Sequence, residues 1–287
     1  MASFPLSQPH APDPSRAGAS SPEAGIQRLI CIIAAQRAGT TALQHAIQAA
    51  GVVNYGEVFH PRPLNAAGKF LHFSEAQDLR LTEITTREGT AAVAERYLTW
   101  LAEQAAPAHF LIDVKLNSWS VLSPWWHYPH RQPFFLSQLK RRKTIFVFIW
   151  RDEIGDQVLS QFIANEFSIW HNLTDAKVAG RKIEASIVQS RELAQTIVRA
   201  EADMLNHLHG YPHKVVIRYE DLFQKGVLAK CFRREFRKAA GIDLPWGDSV
   251  FVRPSSADKR AIVQNYDEVM AALRPLAERR RGQMAVA

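Results

Sequence analysis

Cysteine is scarce in this chain, with two in 287 residues, Cys31 inside an apolar run and Cys231 on an expected helix face. That excludes a disulfide framework and a thiolate metal site; both are expected as buried thiols, which suits a reducing compartment. Long hydrophobic runs are missing too. The longest, such as Ile145 to Trp150, fall far short of the about 18 residues that a membrane-spanning helix requires. No Cys/His cluster has ligand spacing, so no metal is expected. Residues 1–25 lack an apolar core of signal-peptide length and carry Pro5, Pro12, Pro14 and Pro22 among Ser and Ala. They read as a disordered tail before one α/β domain over 26–287, cytoplasmic in location. Acidic residues are outnumbered, 28 against 35 Lys and Arg, for a formal net charge of +7 and a pI near 9.5. The excess favours an anionic partner but does not choose among nucleotide, nucleic acid and membrane surface. With no recognised nucleic-acid motif, nucleic acid is not expected as a partner. A composition of 47% hydrophobic and 22% charged residues supplies a sizeable core.

The stretch Arg28 to Gly51 reads as strand, tight loop and helix. Leu29 to Ala35 is an apolar, β-branched run covered on both faces, and Leu43, Ile47 and Ala50 recur at helical spacing up to a stop at Gly51. Between them, Gln36-Arg37-Ala38-Gly39-Thr40-Thr41 must turn sharply. Gly39 permits close backbone approach, Thr40 and Thr41 bring hydroxyls beside the free N–H groups of the first helical turn, and Arg37 adds a fixed cation. An anion belongs there. It is not a Walker A loop, because Gly39 is followed by Thr40 rather than lysine and position 34 is Ala34.

A second unit repeats the first. Lys140 to Lys143 is basic, Thr144 to Trp150 is the clearest buried strand, and Arg151 sits at its end. A helix follows with Ile154, Val158, Leu159 and Phe162 on its apolar face, Asp152 as expected cap and Ser160 on the same unit. Glu57 follows the first helix, close in sequence to the first loop; it either pairs with Arg37 or Arg62 or handles a proton. Lys115 closes the strand His109 to Lys115, where open α/β sheets bind ligands. Trp119, Trp125, Trp126, His127 and Tyr128 crowd a Pro-interrupted loop, Ser118 to Phe135, suited either to sugar and aromatic faces or to plugging the core. Further helices are expected over Ala91 to Glu103, Ile183 to Leu208 and Val227 to Ala240. In the last of these Cys231, Phe232 and Phe236 face inward and Arg233, Arg234, Arg237 and Lys238 largely outward. Arg279 to Arg281 reads as a frayed basic terminus.

These landmarks together resemble sulfotransferases that use 3′-phosphoadenosine 5′-phosphosulfate, and in particular the bacterial carbohydrate enzymes of the trehalose 2-sulfotransferase type. Arg37-x-Gly39-Thr40-Thr41 is similar to their 5′-phosphosulfate loop, and Gly51 to Phe59 to their Gly-x-x-x-x-x-Glu-x-Phe-like segment, whose Glu is the general base. Gln157-Val158-Leu159-Ser160 with Trp170-His171 matches their Gln-Ala-Val-Ser and Trp-His segment, and Tyr219-Glu220-Asp221-Leu222 is a scaffold landmark.

The resemblance implies a P-loop-type three-layer α/β fold with a central parallel sheet flanked by helices. It implies a sulfuryl donor held by Gln36 to Thr41, with Arg151 and Ser160 on the 3′-phosphate and Lys259 or Arg260 closing from a C-terminal loop. Glu57 and Arg37 would be catalytic, and Phe59, His60, Lys115, Trp119, Trp170 and His171 would face a carbohydrate or glycolipid hydroxyl acceptor. No metal is implied, and a homodimer is allowed. Ser160 stands nine positions after Arg151, one more than the usual spacing of eight. The rival functions are a P-loop-type ATP-dependent phosphotransferase, which needs the missing lysine and a magnesium ligand, and a non-catalytic nucleotide-binding protein.

Overall fold

In a computed structural model, the described residues are 27–60, 66, 68–124, 132–168, 180–224, 227–245 and 258–284. The expected tail, Arg62, the Trp125 to Tyr128 cluster, Trp170 and His171 fall outside them.

Five parallel strands form the centre: β1 (Leu29–Ala34), β2 (Val53–Glu57), β3 (Phe110–Lys115), β4 (Ile145–Trp150) and β5 (Lys214–Arg218), in the order β2-β3-β1-β4-β5. The run that read as a two-sided strand is one. Ile30, Ile32 and Ala34 of β1 pack on one face, and Leu29, Cys31 and Ile33 on the other, all 7% exposed or less. Each such Leu or Ile contributes about 1.5–3 kcal/mol by leaving water. Helix α1 (Thr40–Gln48) and the helix Lys230–Ala240 cover the first face. Helices α3 (Arg87–Ala105) and α4 (Phe134–Arg141) cover the second, α2 (Phe70–Ala76) being the short helix that precedes α3. This is the three-layer α/β arrangement with a central parallel sheet that was expected. Helices α5 (Ile154–Phe167), Ile187–Leu208 and Tyr266–Met284 pack on one another around a third apolar cluster beside the sheet. Among the described residues no helix is long and apolar enough to cross a membrane.

The order creates the site. β1 and β4 are neighbours, yet the chain leaving β1 runs to β2 at one edge and the chain leaving β4 runs to β5 at the other. Two loops diverging from adjacent strand ends open a crevice at the carboxyl edge, where α/β sheets bind ligands.

Several local expectations are corrected. Asp152 does not cap α5, whose N-cap position is Glu153 without a side-chain bond; Asp152 is drawn off by Arg218 and Arg281, each at 3.3 Å. The helix expected from Ile183 begins at Ile187, because Ser186 caps it by accepting from the Gln189 amide, and Ile183 bridges to Val263 instead. The helix expected from Val227 begins at Lys230, since Val227–Leu228 pairs antiparallel with Phe223–Gln224. Cys231 is exposed. The apolar stripe of its helix runs Phe232, Phe236, Ala240, and one residue earlier lies roughly 100° around the axis. Arg233 is buried rather than outward. The supposedly frayed basic terminus is helical to Met284, and Arg280 within it is fully buried.

Candidate functional site

The loop between β1 and α1 uses two left-handed residues, Arg37 at φ 62° and Gly39 at φ 82°. Gly39 is the N-cap of α1, and a Cβ there would stand 2.1 Å from the Tyr219 ring, so this position admits glycine for both torsion and space. Gly39→Ala is therefore expected to cost at least about 1–2 kcal/mol from torsion alone and to displace Tyr219. Urea denaturation reads the cost, and an unchanged midpoint would contradict it.

A folded loop of this kind can offer its amides to an anion only if its carbonyls are engaged elsewhere. Gln157 Nε2 donates to the Gln36 carbonyl at 2.7 Å, and Arg151 Nη1 to the Arg37 carbonyl at 3.3 Å. Arg151 lies 5.0 Å over the Tyr219 ring, with its guanidinium 3.9 Å from both Glu220 and Asp156. Ser160 is 5% exposed, and its hydroxyl accepts from Arg37 Nη2 at 3.5 Å. Arg37, Arg151 and Ser160 are thus brought together, but Arg151 braces the first loop and Ser160 meets the first loop's arginine.

Lys259 reaches the same cluster, 3.2 Å from Asp156, which also accepts from the Tyr266 hydroxyl at 3.2 Å. Burial lowers the pKa of Lys259 most; Asp156 opposes that, and Arg151 and Arg37 add to it. Burial, then Arg151, likewise lowers that of Arg37. Three cations this close disfavour one another's charge, a cost that a bound anion relieves. Arg260 is not brought in: it is exposed, 2.9 Å from Asp267 and stacked on Tyr266. Thr40 is buried and Thr41 exposed at the start of α1, and Ala38 is buried under the loop.

A second network adjoins the loop. Lys115 Nζ is 2.6 Å from Thr40 Oγ1, 2.6 Å from Asp113 Oδ2 and 3.4 Å from Glu57 Oε1. Lys115 is buried at the end of β3. Glu57, at the end of edge strand β2, pairs with Lys115, and Lys69 donates to its backbone carbonyl at 2.5 Å. Burial lowers the Lys69 pKa, against the pull of Glu57 and Asp113. Asp113 is wholly buried; burial raises its pKa against the opposing Lys115, and Gln44 donates to it at 2.6 Å.

Phe59 packs in the core against Phe70, Tyr97 and Phe135, and Trp119 is 5% exposed beside Phe135, so both rings serve packing. His60 is exposed just beyond Glu57. The residues that sequence reasoning missed are Asp113, Asp156, Lys69, Tyr219 and the bracing role of Gln157. A charged residue inside the apolar strand Phe110–Lys115 was the available signal for Asp113.

No family model and no curated protein matches this chain. Among solved structures it is similar to the sulfotransferase domain from the Synechococcus PCC 7002 olefin synthase, at 16% identity, over 91% of this chain and 90% of that one, with a TM-score of 0.43.

Proposed function

We propose that this chain is a sulfotransferase that moves a sulfuryl group from 3′-phosphoadenosine 5′-phosphosulfate to a hydroxyl of a carbohydrate or glycolipid acceptor. The observation that carries this reading is Lys115, whose one ammonium group spans the phosphate-loop hydroxyl of Thr40 and the carboxylate of Glu57. A cation so placed sits between an anion site and a base, which is where charge migrates when a hydroxyl displaces a phosphate from sulfur. The residues present suit the donor: Gly39 allows the sharp turn into α1, and Arg37, Arg151 and Lys259 gather cationic charge beside it.

The donor supplies the sulfuryl group and a phosphate that departs with the bonding electron pair. Arg37 and the first amides of α1 hold the phosphate charge, with Lys259 and Arg151 toward the second phosphate. Glu57 takes the proton from the acceptor hydroxyl as its oxygen bonds sulfur. Lys115 orients Glu57 through their ion pair and stabilises the negative charge that develops beside Thr40.

Calorimetric titration with 3′-phosphoadenosine 5′-phosphate and with ATP tests this. Preference for the bis-phosphorylated nucleotide is expected, and tighter binding of ATP would sink the reading in favour of a phosphotransferase. Labelled-donor transfer to a panel of sugars and glycolipids then identifies the acceptor.

A further inference from the structure

A buried ion pair lies behind the phosphate loop, in a stretch whose sequence reads as a frayed basic tail. Arg280, on the C-terminal helix, is fully buried and holds Glu201 of the Ile187–Leu208 helix through Nε at 2.7 Å and Nη2 at 2.5 Å. Burial raises the Glu201 pKa and Arg280 opposes it. Two charges taken out of water cost several kcal/mol each, so such a pair is weak support for stability and calls for another use.

The use lies in the third partner. Arg280 Nη2 also donates to Gln157 Oε1 at 3.1 Å, and Gln157, itself wholly buried, donates through Nε2 to the Gln36 carbonyl. Arginine has only donors, so the amide must turn its oxygen to Arg280 and its nitrogen to the loop. Glu201 fixes Arg280, Arg280 fixes the amide, and the amide fixes a carbonyl one residue before the left-handed Arg37.

We infer that Gln157 is a positioning residue for the anion loop, held in its working orientation by the Arg280–Glu201 pair. It draws the Gln36 carbonyl away from the crevice so that the following amides face an anion. This rests on the reading of the loop as the phosphate site.

Gln157→Met keeps the length of the side chain and removes its N–H. It is expected to weaken binding of inorganic pyrophosphate and of 3′-phosphoadenosine 5′-phosphate roughly tenfold, the scale of one buried hydrogen bond left unmade. Both are titrated well below the thermal midpoint, where a purely packing role would leave affinity unmoved. The double variant Glu201→Leu, Arg280→Met replaces the ion pair by apolar groups of similar reach and frees the amide to turn. It should fold and bind more weakly than the parent, though less weakly than Gln157→Met. Parental affinity for pyrophosphate in either folded variant overturns the inference. If the parent binds pyrophosphate but not the nucleotide, the donor reading fails and the variant ratio still judges the loop. If the parent binds neither, both fall.

Discussion

Glu57→Gln is expected to bind 3′-phosphoadenosine 5′-phosphate as the parent does and to lose about 10²–10⁴-fold in turnover, the range for removing a positioned general base. The substitution keeps shape and cannot accept a proton. Glu57 makes its side-chain ion pair with Lys115, 3.4 Å away, whereas the braces on the loop between β1 and α1 come from Gln157 and Arg151. Nucleotide affinity is therefore separable from proton transfer. Steady-state rates at saturating donor, set beside the nucleotide dissociation constant, make the test; turnover close to that of the parent would remove Glu57 as the base.

Lys115→Met should affect both stability and rate. It leaves Asp113, wholly buried, without the cation 2.6 Å from its Oδ2, and stranding one member of a buried pair costs about 3–5 kcal/mol. The penalty carries a pH signature. Burial already holds the Asp113 carboxyl above its ordinary pKa, and Lys115 is the largest influence opposing that, so its removal raises the pKa further. A carboxyl whose folded-state pKa is raised favours folding below its unfolded value and loses that contribution as pH rises through the folded value. The variant should thus be least stable near neutrality and recover as the pH falls toward the ordinary carboxylate range, as read by urea denaturation between the two. Asp113→Asn in the same background should restore much of the loss at neutral pH. A penalty independent of pH, or one that the asparagine leaves untouched, would show that Asp113 is not its source. Turnover should fall as well, since Thr40 and Glu57 lose the cation that joins them.

Both predictions depend on residues that differ in how they were legible. Lys115, Arg37, Arg151 and the loop Gln36 to Thr41 were visible in the sequence, because each follows or closes an apolar run that had to be a strand, and strand ends in such sheets carry ligands. Glu57 was visible only as a carboxylate on the segment after the first helix, and that Val53–Glu57 is an edge strand was not. Lys259 was visible only as one of two adjacent cations, and packing separates them: Lys259 meets Asp156, while Arg260 meets Asp267 in solvent. Trp119 has the apolar face and polar edge of a binding residue and Phe59 was marked by the resemblance, but both are held in the core by neighbouring rings. An aromatic side chain advertises burial and recognition alike, and composition does not tell them apart.

By itself the sequence determined the buried strands that end near Ala35, Lys115 and Trp150, the sharp turn at Gly39 and the placing of cations at strand ends, since each follows from local rules of periodicity, torsion and capping. Tertiary structure decided which polar groups meet. That Lys115 joins Thr40 to Glu57, that Lys259 meets Asp156, and that Arg280 reaches through Gln157 to the Gln36 carbonyl are contacts between residues far apart in the chain. Such pairings depend on strand order and helix packing, which no local pattern encodes, and their strength depends on burial, which arises only when the layers close.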